Sequence, residues 1–470
     1  MDDKLKEKCA VFGVYGDNLD VSRLTFYGLF ALQHRGQEAS GIATSNGETI
    51  HYHKDIGLVT HVYSEDDIKK LKGHIAIGHN LYSNTKVADC DHAQPVIRRN
   101  RSKRTEINFA LVHNGNIPSL VALQEFLDDK GIEFAHLNDS ELMATAINCY
   151  VNDGLSLADS VENAYPLFTG VFSILVMDKE NLVAIRDRCG VRPLSLGTIG
   201  DNGYVISSET CAFQTSGAES LREIEPGEML VINQDGITAK QLASSDLKMD
   251  IFEFVYFSRP DSVLLGKSVY EVRKNGGKKL AEEYPLDVDM VVAVPDTATP
   301  AAIGYSQALG IPVEWALVKN RYIHRTFIQP DQHTREMGVR MKLNPLNAII
   351  NGKKIALIDD SIVRGTTSKQ IIKTLFEAGA TEVHFLVSSP PVKYPDFYGI
   401  DTPKQDKLIA ATKSVKEIEE YLGATSLYYL SIEGLLASTE LDPNYFSTSC
   451  FTGEYPVDLL GRAGEVRVVS

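Results

Sequence analysis

The 470-residue sequence contains no apolar run approaching the roughly 18 residues that a membrane-spanning helix requires. Nothing in it predicts a span. It also lacks a CxxC pair. The six cysteines, Cys9, Cys90, Cys149, Cys189, Cys211 and Cys450, are scattered, which argues against a zinc knuckle and against a disulfide scaffold. There is no excess of positive charge: 47 Lys and Arg face 62 Asp and Glu, for a net charge of -15. That balance disfavours nucleic-acid binding but leaves room for a local basic patch holding a phosphorylated small molecule. The opening MDDKLKEK has no apolar core of the kind a secretory signal carries, so a cytoplasmic location is expected. Low-complexity tracts and internal repeats are missing as well.

What is present divides in two, as expected for a chain too long for one ordinary core. From Cys9 to about residue 243, short β-branched runs such as CAVFGVYG, HIAIGHNLY, INFALVHNG and VFSILVMD alternate with Gly, Asn and Asp breaks. Helical spacing is confined to Val21–His34 and Asp139–Val151, an α+β pattern. The polar stretch Gln241–Asp250 reads as a boundary. From residue 250 to 470, strands apolar on both faces, MVVAV and IALI, alternate with helices, as in a parallel sheet covered on both sides.

The most specific segment is KIALIDDSIVRGTTS, Lys354–Ser368. A buried strand leads into two carboxylates and then a loop rich in Gly, Thr and Ser that opens a helix. Backbone N–H groups and hydroxyls of Arg364, Gly365, Thr366, Thr367 and Ser368 suit a phosphate at a helix N-terminus. Asp359 and Asp360 can accept from ribose hydroxyls and favour positive charge developing at an anomeric carbon. The lysine of GxxxxGK[ST] is missing, which disfavours a nucleotide-hydrolysing P-loop. A solvated strand-turn-helix is the competing reading for a shorter match.

This segment resembles the fingerprint of type I phosphoribosyltransferases. AVPDTATPAA, Ala293–Ala302, is similar to that family's pyrophosphate loop, and Lys319–Leu343 to its lid, with cations Lys319, Arg321, Arg325, Arg340 and Lys342. In the first half, CAVFGVYG, FYGLFALQHRGQEASGI, LVHNGNI, RPLSLG, SSETCAF and EPGE, followed by FSRPDS and SSPP, resemble the glutamine phosphoribosylpyrophosphate amidotransferase family in its own order. The resemblance implies an N-terminal nucleophile amidohydrolase domain of αββα layers over residues 9–243, then an α/β type I phosphoribosyltransferase domain over 250–470. It implies that residues 1–8 are a leader whose removal makes Cys9 the terminal nucleophile, although position alone leaves Cys9 equally a core thiol. By the same resemblance Asn114 and Gly115 form the oxyanion hole, and Arg35, Gly36 and Asp139 bind glutamine. Asp359, Asp360, Ser361, Arg364 to Ser368, Lys319 and Arg340 bind phosphoribosylpyrophosphate, with Asp296, Asp359 and Asp360 serving Mg²⁺ directly or indirectly. The implied partners are phosphoribosylpyrophosphate, glutamine or ammonia, purine nucleotides as feedback inhibitors, and further copies of the chain in a tetramer or dimer. Neither nucleic acid nor membrane is among them.

Three departures stand out. GHNLYSN occupies Gly78–Asn84 where relatives carry GHVRYST, so Leu81 replaces the arginine expected to grip the glutamine carboxylate. Lys86 or the basic run Arg98–Arg104 could supply a substitute cation, with a solvated hairpin as the alternative for the run. Asp250, Asp396, Ser447 and Cys450 fall where iron-sulfur members hold four cysteines, so no cluster is expected. His324 stands where the lid motif has glycine. The competing functions are an ammonia-dependent transferase with an impaired glutaminase half, and a non-catalytic regulatory paralogue.

Overall fold

The structure, a computed structural model, describes residues 6–7, 9–82, 93–319, 343–402, 404–459, 462, 464 and 466–467. Lys86, Arg321, His324, Arg325, Arg340 and Lys342 lie outside them.

The first half is built from β1 (Cys9–Tyr15), α1 (Val21–Ala31), β2 (Ala39–Ser45), β3 (Ile50–Ile56), β4 (Ile75–Leu81), β5 (Val96–Arg99), β6 (Ile107–Asn116) and α2 (Asp139–Asn152). It continues through β7 (Val171–Met177), β8 (Leu182–Arg186), β9 (Ser195–Ile199), β10 (Gly203–Ser207), β11 (Glu219–Glu223), β12 (Glu228–Asn233) and β13 (Gly236–Gln241). Seven strands form one antiparallel sheet in the order β11-β9-β10-β1-β4-β2-β3, and six form another in the order β13-β12-β8-β7-β6-β5. The period of two along each strand decides the layers. Val11, Tyr15, Ile75 and Ile77 from the first sheet meet Ala110, Val112, Leu175 and Leu182 from the second in a shared core. Their neighbours Ala10, Phe12 and Val14 turn outward onto the side of α1, with Val21 and Leu29. On the other outer face, Phe109, Leu111, Ile174 and Val176 pack against Leu142, Ala146 and Ile147 of α2. The result is the αββα order.

The second half places α3 (Val269–Glu283), β14 (Met290–Ala293), α4 (Thr299–Leu309), β15 (Lys354–Asp359), α5 (Thr366–Glu377), β16 (Glu382–Val387) and β17 (Ser426–Tyr429) around a four-stranded parallel sheet, β14-β15-β16-β17. Both faces are covered. Val291, Ala356 and Ile358 pack with Leu280, Ala302 and Tyr305 on one side, while Val292, Leu357 and Val387 pack with Ile371, Ile372 and Leu375 on the other. This explains why these strands read as unbroken apolar runs. Among the described residues no helix is long and apolar enough to cross a membrane.

Candidate functional site

Two sites take shape, one in each half. In the first half, the alternation that buries Val11 between the sheets points Cys9 the same way, at the open end of β1. Cys9 is 6 % exposed and pairs in register with Leu81 of β4. The residue that departs from the expected arginine therefore sits directly across from the thiol. On the facing sheet, Ala110 and Val112 share the inner face, which brings Asn114 inward by the same count of two. Asn114 Nδ2 lies 3.5 Å from Ser208 Oγ, and that hydroxyl oxygen also accepts from Val11 N–H at 3.0 Å. Ser208 thus bridges β1 and the Asn114 carboxamide across the two sheets.

Gly115 follows on β6 with φ of 151°, and a Cβ there would lie 2.1 Å from the Val171 carbonyl oxygen. No side chain fits there without a shift of the neighbouring backbone. Gly36 closes the same end: a Cβ on it would lie 2.7 Å from the Asn80 carbonyl carbon and 2.9 Å from that of Leu81. Asp139 opens α2 behind an Asn138 N-cap whose side chain accepts from Glu141 N–H, an arrangement that fixes the helix start. Its Oδ1 accepts from Ser140 N–H at 2.8 Å, and its Oδ2 lies 3.9 Å from His113 Nδ1.

Arg35 is placed differently from its neighbour. Its guanidinium is buried, pairing with Glu209 and donating to Glu253 Oε2 at 2.5 Å and Ser258 Oγ at 3.1 Å. Burial alone would raise the Glu209 carboxyl, yet the charges of Arg35 and His34 hold it well below the usual carboxylate range. Glu209 also accepts from Arg259 N–H at 2.9 Å and Ser262 Oγ at 2.6 Å. Gly36 and Ser208 thus belong to the mouth around Cys9, while Arg35 and Glu209, one residue away in each case, anchor that mouth to the second half. The contact is continued by Asn116 Nδ2, which donates to the Phe397 carbonyl at 2.6 Å, and by Gly399, where a Cβ would lie 3.4 Å from the Gly115 carbonyl. Of the residues preceding Cys9, Lys6 and Glu7 pair antiparallel with Asp401 and Ile400.

In the second half, β14 and β15 are adjacent and parallel, so the loops beyond their carboxyl ends lie side by side, the usual ligand position in an open α/β sheet. Asp359 and Asp360 are 2 % and 1 % exposed. Asp360 Oδ1 accepts from Ser361 Oγ at 2.7 Å, and Asp359 Oδ1 from Asp360 N–H at 2.9 Å. The loop reaches α5 through Gly365, an N-cap with φ of 77° that brings no side-chain acceptor to the first turn. Arg364 and Thr367 are half-buried, Thr366 is exposed and Ser368 is buried. From the neighbouring loop, exposed Asp296 accepts from Lys319 Nζ at 2.6 Å. Among the described residues no three His, Cys, Asp or Glu side chains converge to hold a metal ion.

Sequence reasoning missed Ser208, Glu209 and Arg273, although SSETCAF was in view. Arg273 donates to the Phe254 and Ser258 carbonyls at 2.6 and 2.7 Å, and burial pushes it down to about 10 against the opposing field of Asp360. It ties α3 to the segment that receives Arg35 and lies in the field of Asp360. The basic run begins at Arg98, which donates to the Glu141 carbonyl at 2.7 Å, and continues through a hairpin whose residues 101–105 are exposed. Asp250 pairs in register with Ser447, and Cys450 lies in the field of both Asp250 and Asp396, so these four positions do gather. Arg192 is among them, 3.7 Å from Asp250 and 3.8 Å from Asp396.

Comparison with known proteins bears on the chain as a whole. The glutamine amidotransferase domain family matches residues 82–215. The amidophosphoribosyltransferase of a Synechocystis species is 48 % identical, over 97 % of this chain and 92 % of its own. That of Bacillus subtilis is 43 % identical, over 97 % and 95 %. The solved glutamine phosphoribosylpyrophosphate amidotransferase of Bacillus subtilis, in complex with ADP and GMP, superimposes with a TM-score of 0.88 at 43 % identity, covering 96 % of this chain and 98 % of that one. A second solved structure, described as the allosteric regulatory enzyme of purine biosynthesis, gives 0.90 at 42 % identity, over 98 % and 100 %. With relatives this similar over nearly the whole length of both chains, the chain belongs to the amidophosphoribosyltransferase family.

Proposed function

We propose that the protein converts phosphoribosylpyrophosphate, glutamine and water into 5-phosphoribosylamine, pyrophosphate and glutamate, the committed step of purine synthesis. The observation that carries this reading is the gathering of Cys9, Asn114, Gly115 and Gly36 at one end of the sandwich, with Asn116 bonded to the transferase half. While residues precede it, Cys9 holds an acylated nitrogen. Their removal frees an α-amine with an unperturbed pKa of about 8, able to take the thiol proton. The thiolate attacks the glutamine carboxamide, the oxyanion is met by Asn114 Nδ2 and Gly115 N–H, and Asp139 holds the substrate ammonium. Ammonia leaves, and water hydrolyses the thioester.

Across the interface, Asp359 and Asp360 hold the ribose hydroxyls and favour the positive charge that develops as pyrophosphate departs and ammonia attacks the anomeric carbon. Backbone N–H groups of residues 364–368 hold the 5-phosphate, while Lys319 and Arg340 attend the diphosphate. The buried Asp359 and Asp360 and the exposed Asp296 suit a Mg²⁺ ion that arrives with the substrate phosphates, since Mg²⁺ is commonly held by one or two carboxylates plus phosphate oxygens. Such an ion neutralises charge on the leaving group when bound. The same pocket is the proposed seat of purine nucleotide inhibitors, in a cytoplasmic homo-oligomer. Asp250 and Asp396 supply carboxyl groups beside Arg192, not thiolates, where an iron-sulfur cluster would need four ligands, so no cluster is assigned.

The test is pyrophosphate release with Mg²⁺, comparing glutamine and free ammonia as donors. Activity with both supports the reading. Activity with ammonia alone would favour the transferase with an impaired glutaminase half, to which Leu81 opposite Cys9 points. Inactivity with both would sink it.

A further inference from the structure

Between the oxyanion residues and Asp139 lies a buried group that the mechanism above does not use. His113 is 2 % exposed and precedes Asn114 on β6. Alternation turns its side chain away from the inter-sheet core, toward α2, on the same face as Gly115. The ring lies against that glycine: a Cβ on Gly115 would be 2.9 Å from His113 Nε2. At the other edge of the ring, Nδ1 is 3.0 Å from Ser140 Oγ and 3.9 Å from Asp139 Oδ2. One imidazole therefore spans the distance between an oxyanion donor and the first turn of the helix that carries Asp139.

The backbone of His113 is also fixed. Its N–H donates to Gln94 Oε1 at 2.6 Å, and its carbonyl accepts from His79 Nε2 at 3.0 Å. Gln94 Nε2 in turn lies 3.3 Å from Ser140 Oγ. A histidine present only to fill volume has no need to reach into a helix from another layer, and an apolar residue would fill the space without the cost of burying a polar ring. Here strand, glutamine and helix start are closed into one loop of hydrogen bonds, so β6 cannot shift along its axis without moving Asp139. Networks of this kind hold groups that must keep a fixed spacing.

We infer that His113 is a positioning residue: it sets the separation between the carboxylate of Asp139, which receives the substrate ammonium, and the oxyanion donors Asn114 and Gly115. Glutamine carries its α-ammonium and its side-chain carbonyl at the two ends of a short chain, so this separation selects for it. Burial holds the imidazole below its ordinary value, against the pull of Asp139, which keeps the ring uncharged beside the ammonium site. The inference rests on the proposed role of Asp139.

The experiment uses the processed full-length enzyme and three variants. His113→Phe keeps a ring against Gly115 but removes the contact to Ser140. His113→Asn places an amide near the position of Nδ1, and Asp139→Asn checks the reading underneath. The expected result for His113→Phe is a glutamine KM raised about tenfold or more, with ammonia-dependent pyrophosphate release within about twofold of the parent. The rate of Cys9 alkylation by iodoacetamide, which needs no ammonium site, should be unchanged, and His113→Asn should recover most of the loss in KM. An unchanged KM in His113→Phe alongside a raised KM in Asp139→Asn would overturn the inference alone. An unchanged KM in Asp139→Asn would remove the reading beneath it and the inference with it. Equal loss of ammonia-dependent activity in both His113 variants would show a purely structural role and overturn it too.

Discussion

The two halves assemble their sites in opposite ways. The phosphoribosyl loop is ten consecutive residues, Asp359–Ser368, at the end of one strand, and its geometry follows from a strand stopping and a helix starting. The proposed glutamine mouth draws Cys9 from β1, Gly36 from beyond α1, Leu81 from β4, Asn114 and Gly115 from β6, Asp139 from α2 and Ser208 from beyond β10. It exists only because two sheets hold their registers, and a one-residue slip in β6 would turn Asn114 out of the sandwich. A contiguous site tolerates change in the surrounding fold, whereas a dispersed site inherits every error of register.

The largest expected effect tests whether the halves are chemically separable. Asp359→Asn with Asp360→Asn should reduce pyrophosphate release by about a hundredfold or more with either nitrogen donor, because electrostatic stabilisation of the transition state is lost. Cys9→Ala should abolish release with glutamine and spare release with ammonia. If the double variant spared either donor, or if Cys9→Ala abolished both, the division of labour would be wrong. The relevant measurement is initial rate at saturating phosphoribosylpyrophosphate.

The same contrast explains what could be read from the sequence. DDSIVRGTTS carries its own context, since an apolar strand, two carboxylates and a glycine-rich helix start are neighbours in the chain. An α+β first half was legible from its short β-branched strands, its αββα layering only from the family resemblance, and HNGN and HRGQE marked the candidate mouth. Ser208 was not legible as a partner of Asn114, because nothing local says that a serine beyond β10 meets a strand ninety-four residues earlier. Arg35 shows the converse difficulty. The motif marks the position, but only the packed interface shows its guanidinium committed to Glu209 and Glu253 while Gly36 faces the mouth. Charge networks between domains are sequence-distant by construction, and composition gives no hint of which charges are buried.

Leu81 sharpens the comparison from the glutamine side with a smaller effect. Its register opposite Cys9 puts a leucine where, on the proposed reading of the mouth, a guanidinium would make a bidentate contact to the substrate carboxylate. Leu81→Arg should lower the glutamine KM by about tenfold, with ammonia-dependent activity unchanged. A KM that stays level would mean that another cation already serves the carboxylate.

The smallest effect concerns pH and sets the seam between the halves against the interior of the first. Burial pushes the Asp250 carboxyl up to about 7, against the pull of Arg192 and with the help of Asp396. The unfolded value is about 3.9, so between roughly pH 4 and pH 7 the folded chain holds a proton that the unfolded chain has released. This contribution to stability is full below about pH 4 and is lost as pH rises through about 7. His79 runs the other way. Burial pushes it down to about 3, so its contribution is present above its unfolded value of about 6.5 and is lost as pH falls. Asp250→Asn removes only the first slope. Between about pH 5 and pH 8, the variant should lose less thermal stability than the parent, by about 2–4 °C in Tm, while both should weaken alike below about pH 4. Parallel Tm curves for the two proteins from pH 5 to 8 would place the titrating group elsewhere in the seam, with Asp396 the next carboxylate to replace because it lies 3.8 Å from the same arginine.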